Sequence, residues 1–179
     1  MPKEKILDFI KRALFAENID CSLEPSHARS GSRLLVNFIK DHKNRSRVLE
    51  ITEQELSLQP RPKKDHPEIH SRIQFLIMLP FQAKDSALHD IASLILFLNR
   101  TLELPGLELN ELDNRIYYRY VLMTKTDGLT EELVLAIVGV ILLMLDLFSN
   151  TIEKVADGTH TFNELLQEVI DATDQMLKQ

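Results

Sequence analysis

Several groups of side chains in this sequence have the types and spacing that chemistry asks for. His66 and His70 stand four residues apart, the spacing that puts two imidazoles on one helical face within reach of one metal ion. Pro67 falls between them and breaks the continuous helix this would need, so no metal site is expected. Lys40, His42, Lys43, Arg45 and Arg47 crowd around a short polar turn, DHKNR. Such a patch would hold an anion or an acidic partner; a solvated hairpin tip is the plainer reading. All three tyrosines, Tyr117, Tyr118 and Tyr120, are interleaved with Arg119. Aromatic rings and arginines together bind bases or peptides, and the same residues suit cross-strand packing. His89 stands beside Asp90 with no nucleophile near it in sequence, which fits an exposed histidine. There is no glycine-rich phosphate loop, Ser/His/Asp motif or run of metal ligands. No catalytic residue, metal or cofactor is therefore expected.

Composition narrows the setting. Hydrophobic residues make up 44% of 179, enough for one domain with a proper core. The net charge of −6 argues against a general nucleic-acid binder, and against an anionic membrane surface as the main partner. The single cysteine, Cys21, has no internal disulfide partner. Charges interrupt the apolar residues of MPKEKILDFIKRALFAENID every few positions, unlike a secretory signal. A reducing cytoplasm is the expected location.

The elements that must position these residues follow from periodicity. Ile6, Leu7, Ile10, Leu14 and Phe15 recur at helical spacing, predicting an amphipathic helix over about 2–17. Cys21–Leu23, Arg33–Lys40 and Arg47–Ser57 read as strands, with a loop at Ser26–Ser32. The proline-rich Gln59–Pro67 is an exposed connection. Ser71–Leu79 alternates as a strand that Pro80 ends. Asp85 or Ser86 caps a helix stopped by Pro105-Gly106. Gly106–Leu112 and Arg115–Met123 form a hairpin through Asp113-Asn114, with Tyr118 and Tyr120 on one face and Tyr117 and Arg119 on the other. Thr130 caps a long helix that stops at Asp157-Gly158, and Thr161–Glu164 is a capping box for a last helix to about Met176. This is an α+β fold: an antiparallel sheet with helices packed on it. Residues 1–157 form the main domain, and 158–179 a C-terminal helix packed on it.

Leu133–Phe148, LVLAIVGVILLMLDLF, has one charge and is apolar on every side. Its uncharged part, Leu133–Leu145, is shorter than the roughly 20 residues that span a bilayer, so no membrane span is expected. A helix offers its own sheet only one side. Leu133, Ile137, Val140, Ile141, Met144 and Phe148 are the candidate surface for a partner, with a second copy of the chain slightly favoured. The C-terminal helix is the alternative cover.

The stretch LNRTLELPGLELNELDNRIYYRYVLM, Leu98–Met123, resembles the helix, Leu-Pro-Gly turn and Tyr-Tyr-Arg-Tyr strand of the YbjN-like proteins of bacteria, cyanobacteria included. The order of elements over about residues 2–157 is similar to theirs and to the type III secretion chaperone-like fold they share. Leu104, Pro105, Gly106, Tyr117, Tyr118, Arg119 and Tyr120 carry the resemblance. It implies a small α+β domain without known catalysis, regulatory or chaperone-like. True secretion chaperones of this fold are dimers that wrap an extended effector segment. Two functions thus stand open. One is a non-enzymatic, dimeric module binding a protein or peptide. The other is a small-ligand protein or enzyme whose site is assembled from distant residues such as Tyr118, Arg119 and a histidine.

Overall fold

The structure, a computed structural model, describes residues 5–25, 32–58, 68–125 and 128–176. The elements run α1 (Ile6–Ala16), β1 (Cys21–Glu24), β2 (Arg33–Phe38), β3 (Arg47–Leu58), β4 (Glu68–Gln82), a 3-10 turn (Asp85–Ala87), α2 (Leu88–Thr101), β5 (Leu107–Asn110), β6 (Arg115–Thr124), α3 (Glu131–Ala156) and α4 (Phe162–Met176). The strands form one antiparallel sheet in the order β1-β2-β3-β4-β6-β5. The fold is α+β, as the periodicity predicts. The loop expected at Ser26–Ser32, apart from Ser32, and the Gln59–Pro67 connection, with His66, lie outside the described residues.

By compactness the chain divides into two units, Met1–Met78 with Tyr118–Leu143, and Leu79–Tyr117 with Met144–Gln179. The division passes through β4, β6 and α3.

In the first unit, strand alternation becomes rungs of core side chains. Leu34 of β2 pairs with Ile51 of β3, which pairs with Phe75 of β4; Val36, Leu49 and Ile77 make the next rung. All six are buried. The rung through Phe75 continues to Tyr120 of β6, whose ring centroid is 6.1 Å away. Helix α1 packs over β1, β2 and β3 and buries Ile6, Leu7, Ile10, Ala13 and Leu14. Just past its end, Asn18 has a left-handed φ of 58° that lets the Ile19 N–H reach back to the Leu14 carbonyl at 3.0 Å. Phe15, expected on the apolar face, is 72% exposed.

In the second unit, β4 runs on through Pro80 to Gln82, not stopping where expected. The pairing of β4 with β3 ends at Ile77, so β3 asks nothing of the N–H that Pro80 lacks. Asp85 does not cap α2. It opens a 3-10 turn, and its carboxylate accepts from the Asn114 side-chain amide in the β5–β6 turn. Asn114 itself has φ 56°, the left-handed geometry expected of that turn. Helix α2 stops at Thr101, short of Pro105, because Leu102 is already extended. Helix α4 packs on α2, with the Phe97 and Phe162 rings 5.9 Å apart.

Candidate functional site

Helix α3 begins as its sequence predicts. The Thr130 hydroxyl accepts the Leu133 N–H at 3.2 Å. Glu131 pairs with Arg12 of α1 at 2.7 Å. The Glu132 carboxyl is held below its usual range, first by its own N–H and then by the Thr130 hydroxyl. At the far end Gly158, with φ 74°, turns the chain out of the helix.

The helix is not uniformly buried. Val134, Ile137, Val138, Ile141, Met144, Leu145, Ile152 and Val155 are inside. Leu143 and Leu147 are 56% and 59% exposed, and Leu133 lies at the edge at 37%. Ala136 and Gly139 are exposed between them. Of the expected surface, Leu133 is exposed, Val140 and Phe148 are half-buried, and Ile137, Ile141 and Met144 are buried. Those three face inward because the helical repeat carries them onto the core side. The outward stripe runs instead through Ala136, Gly139, Leu143 and Leu147, with Glu132 before it and Asn150 and Lys154 after it. Helix α4, in the same unit as Leu147, leaves Leu147 in water. By length and composition α3 alone, among the described residues, is apolar enough to cross a membrane, and 39% of its most apolar window is buried.

The tyrosine strand is divided by its own alternation. Tyr118 is fully buried, and burial pushes its phenol up to about 12, with Tyr120 adding to the shift. Tyr120 leans on Phe75. Tyr117 and Arg119, both half-buried, occupy alternate positions facing the other way. Tyr118 and Arg119 are therefore not brought together. The Leu-Pro-Gly turn, Leu104–Gly106, is held by a residue that sequence reasoning passed over. The Asn99 side-chain oxygen accepts the Gly106 and Leu107 N–H groups at 3.0 Å each, and its amide donates to the Leu107 carbonyl at 2.8 Å. An asparagine inside a helical pattern gives no hint of this unless the turn it serves is already placed.

The basic hairpin tip is mostly bound within itself. Asp41 accepts from the Lys43 and Arg45 N–H groups at 2.9 Å and from the Arg45 guanidinium at 2.7 Å. Burial works to raise its pKa, and these bonds, Arg45's foremost, overcome that and hold it low. Arg47 is buried and donates to the Ile39 carbonyl at 2.7 Å. Burial also raises the Cys21 thiol, against the pull of Lys11, which leaves it a poor nucleophile. His89 is exposed. Among the described residues no three His, Cys, Asp or Glu side chains lie close enough to hold a metal ion. No protein-family model matches the chain, and no curated protein matches it.

Proposed function

We propose that this chain is a non-enzymatic protein-binding module, chaperone-like or regulatory, that acts in the cytoplasm as a homodimer and is kin to the YbjN-like proteins. The observation that carries the reading is the outward stripe of α3. Leu143 and Leu147 keep more than half their surface in water on a helix whose other sides are apolar. Covering the exposed part of each contributes roughly 1 kcal/mol. An exposed apolar stripe on a helix is a surface on which another protein can dock. The kinship is supported by the Leu98–Met123 stretch, where a helix, a Leu-Pro-Gly turn and a hairpin ending in the tyrosine strand follow in order. Affinity capture from the source cells, with the full chain and a Leu143→Glu, Leu147→Glu double mutant as baits, tests the reading alongside sedimentation. The full chain should sediment near twice 20.6 kDa and retain a protein that the double mutant loses. The homodimeric reading is overturned if the full chain stays monomeric from micromolar to millimolar concentration, and the protein-binding reading if both baits retain the same proteins.

A further inference from the structure

The outward residues of α3 have an order that is their own mirror image. From Leu143, seven of the nine exposed positions of α3 step outward by four, three and four residues in both directions, Gly139, Ala136 and Glu132 on one side and Leu147, Asn150 and Lys154 on the other; Leu133 and Asp146 are the remaining two. At 3.6 residues per turn all seven lie within about 40° of Leu143 around the helix axis. A second identical helix laid antiparallel across Leu143 therefore meets each position with its counterpart. Leu143 faces Leu143. Leu147 of each copy faces Gly139 of the other, Asn150 faces Ala136, and Lys154 faces Glu132.

Two of these meetings are complementary, one in size and one in charge. Leu147, more exposed than Leu143, meets the residue with no side chain. Apart from the adjoining backbone of the helix itself, no atom of the described residues comes within 4 Å of where a Cβ on Gly139 would sit, so packing among them does not call for glycine there. Glycine in a helix interior costs about 1 kcal/mol relative to alanine. The two ends carry opposite charges, and the antiparallel arrangement puts them together twice; a parallel arrangement would set Glu132 on Glu132 and Lys154 on Lys154. Asp146 lies on the flank of the stripe, opposite Val140 in this register.

We infer that two copies of this chain join through an antiparallel, twofold-symmetric crossing of their α3 helices centred on Leu143, with Leu147 seated over Gly139 and Lys154 paired with Glu132 across the interface. This deepens the homodimeric reading above and rests on it. A twofold contact uses the same patch on both subunits, which is why the stripe must be self-complementary.

Cysteine cross-linking tests the register in a Cys21→Ser background, with circular dichroism to check folding. Leu143→Cys should give a disulfide-linked dimer under mild oxidation. Ala136→Cys should not link to itself, because its two copies stand 14 residues apart along the axis, about 21 Å, far beyond a disulfide's reach. Mixed with Asn150→Cys, it should. Lys154→Glu should weaken the dimer about tenfold, and adding Glu132→Lys should restore it. A dimer in which Ala136→Cys links to itself as readily as Leu143→Cys is parallel; it overturns this register and leaves the homodimer standing. A dimer that none of these cysteines links uses another surface and also overturns it. A monomer at all concentrations overturns both readings, and a monomer that floats with phosphatidylcholine vesicles does so in favour of a bilayer as the cover.

Discussion

The first and last helices of the chain are both amphipathic, and they are held in opposite ways. Helix α1 has no side-chain cap at its N-terminus, yet five of its eleven residues are buried against the sheet. Helix α4 has a complete reciprocal cap: the Thr161 N–H donates to Glu164 at 2.7 Å, and the Glu164 N–H donates to the Thr161 hydroxyl at 3.2 Å. Asp90 of α2 accepts a further N–H from Phe162 at 3.0 Å. None of the described α4 side chains is buried, and Val169 and Ile170 are 55% and 46% exposed. A one-sided apolar pattern says which face a helix would bury. It does not say whether anything is there to bury it. Helix α1 is stabilised by packing, and α4 by its first turn and by Phe162 on Phe97.

The sharpest way to break the comparison is to take away a contact from α1. Ile10 is fully buried, and Ile10→Ala should lower unfolding stability by about 2–5 kcal/mol, through lost transfer energy and the cavity left behind. Chemical denaturation read by circular dichroism checks it. A loss under about 1 kcal/mol would mean that α1 is not held by its core face.

The capping box is the next test. Thr161→Ala removes the acceptor of the Glu164 N–H and should cost about 0.5–2 kcal/mol, confined to α4. Residue-resolved amide exchange should show faster opening through Leu165 and Leu166 with α1 unchanged. Loss of protection in α1 as well would show that the two helices do not stand independently.

Acid gives a smaller and more local effect. The Thr161 N–H, and then its hydroxyl, hold the Glu164 carboxyl below its ordinary range. A carboxyl depressed in the folded state contributes stability above its unfolded pKa, and that stability is lost as pH falls through the folded value. The start of α4 should therefore loosen at acid pH, and Glu164→Gln should remove the pH dependence. Helix α1, with no side-chain cap, should show no matching step.

Much of this architecture is legible in the residues, because the rules involved are local. Alternation locates the strands, Thr130 and the Thr161–Glu164 pair locate two helix starts, and Asn114 locates a turn that requires a left-handed residue. What escapes depends on distant neighbours. Pro80 stays in a strand because the pairing of β3 stops before it. Asp85 turns toward Asn114, and Asn99 holds a turn that lies beyond its own helix. Arg47 reads as a surface cation, and only the folded chain brings the Ile39 carbonyl to its guanidinium. Which side of α3 is exposed escapes for a different reason. With apolar residues on every side, no polar stripe marks which side faces out. Ile137 and Ile141 are as apolar as Leu143 and Leu147, and only the position of the core separates them.

The smallest expected effect is the one that tests the comparison most closely. Val169 lies on the apolar side of α4 and would read, by pattern alone, as the equivalent of Ile10. Its side chain is more than half in water. Val169→Ala removes two methyl groups that bury little, and alanine is the better helix former. The two changes nearly cancel, so stability should move by less than about 0.5 kcal/mol in either direction. A loss approaching that of Ile10→Ala would mean that the outer face of α4 is covered in solution. Dilution then tells by what. A loss that fades as the protein is diluted belongs to a contact between copies, since binding that favours the folded state scales with the concentration of the partner. A loss that persists at every concentration belongs to the chain itself. Either outcome would end the contrast between a helix held by its core and one held by its cap.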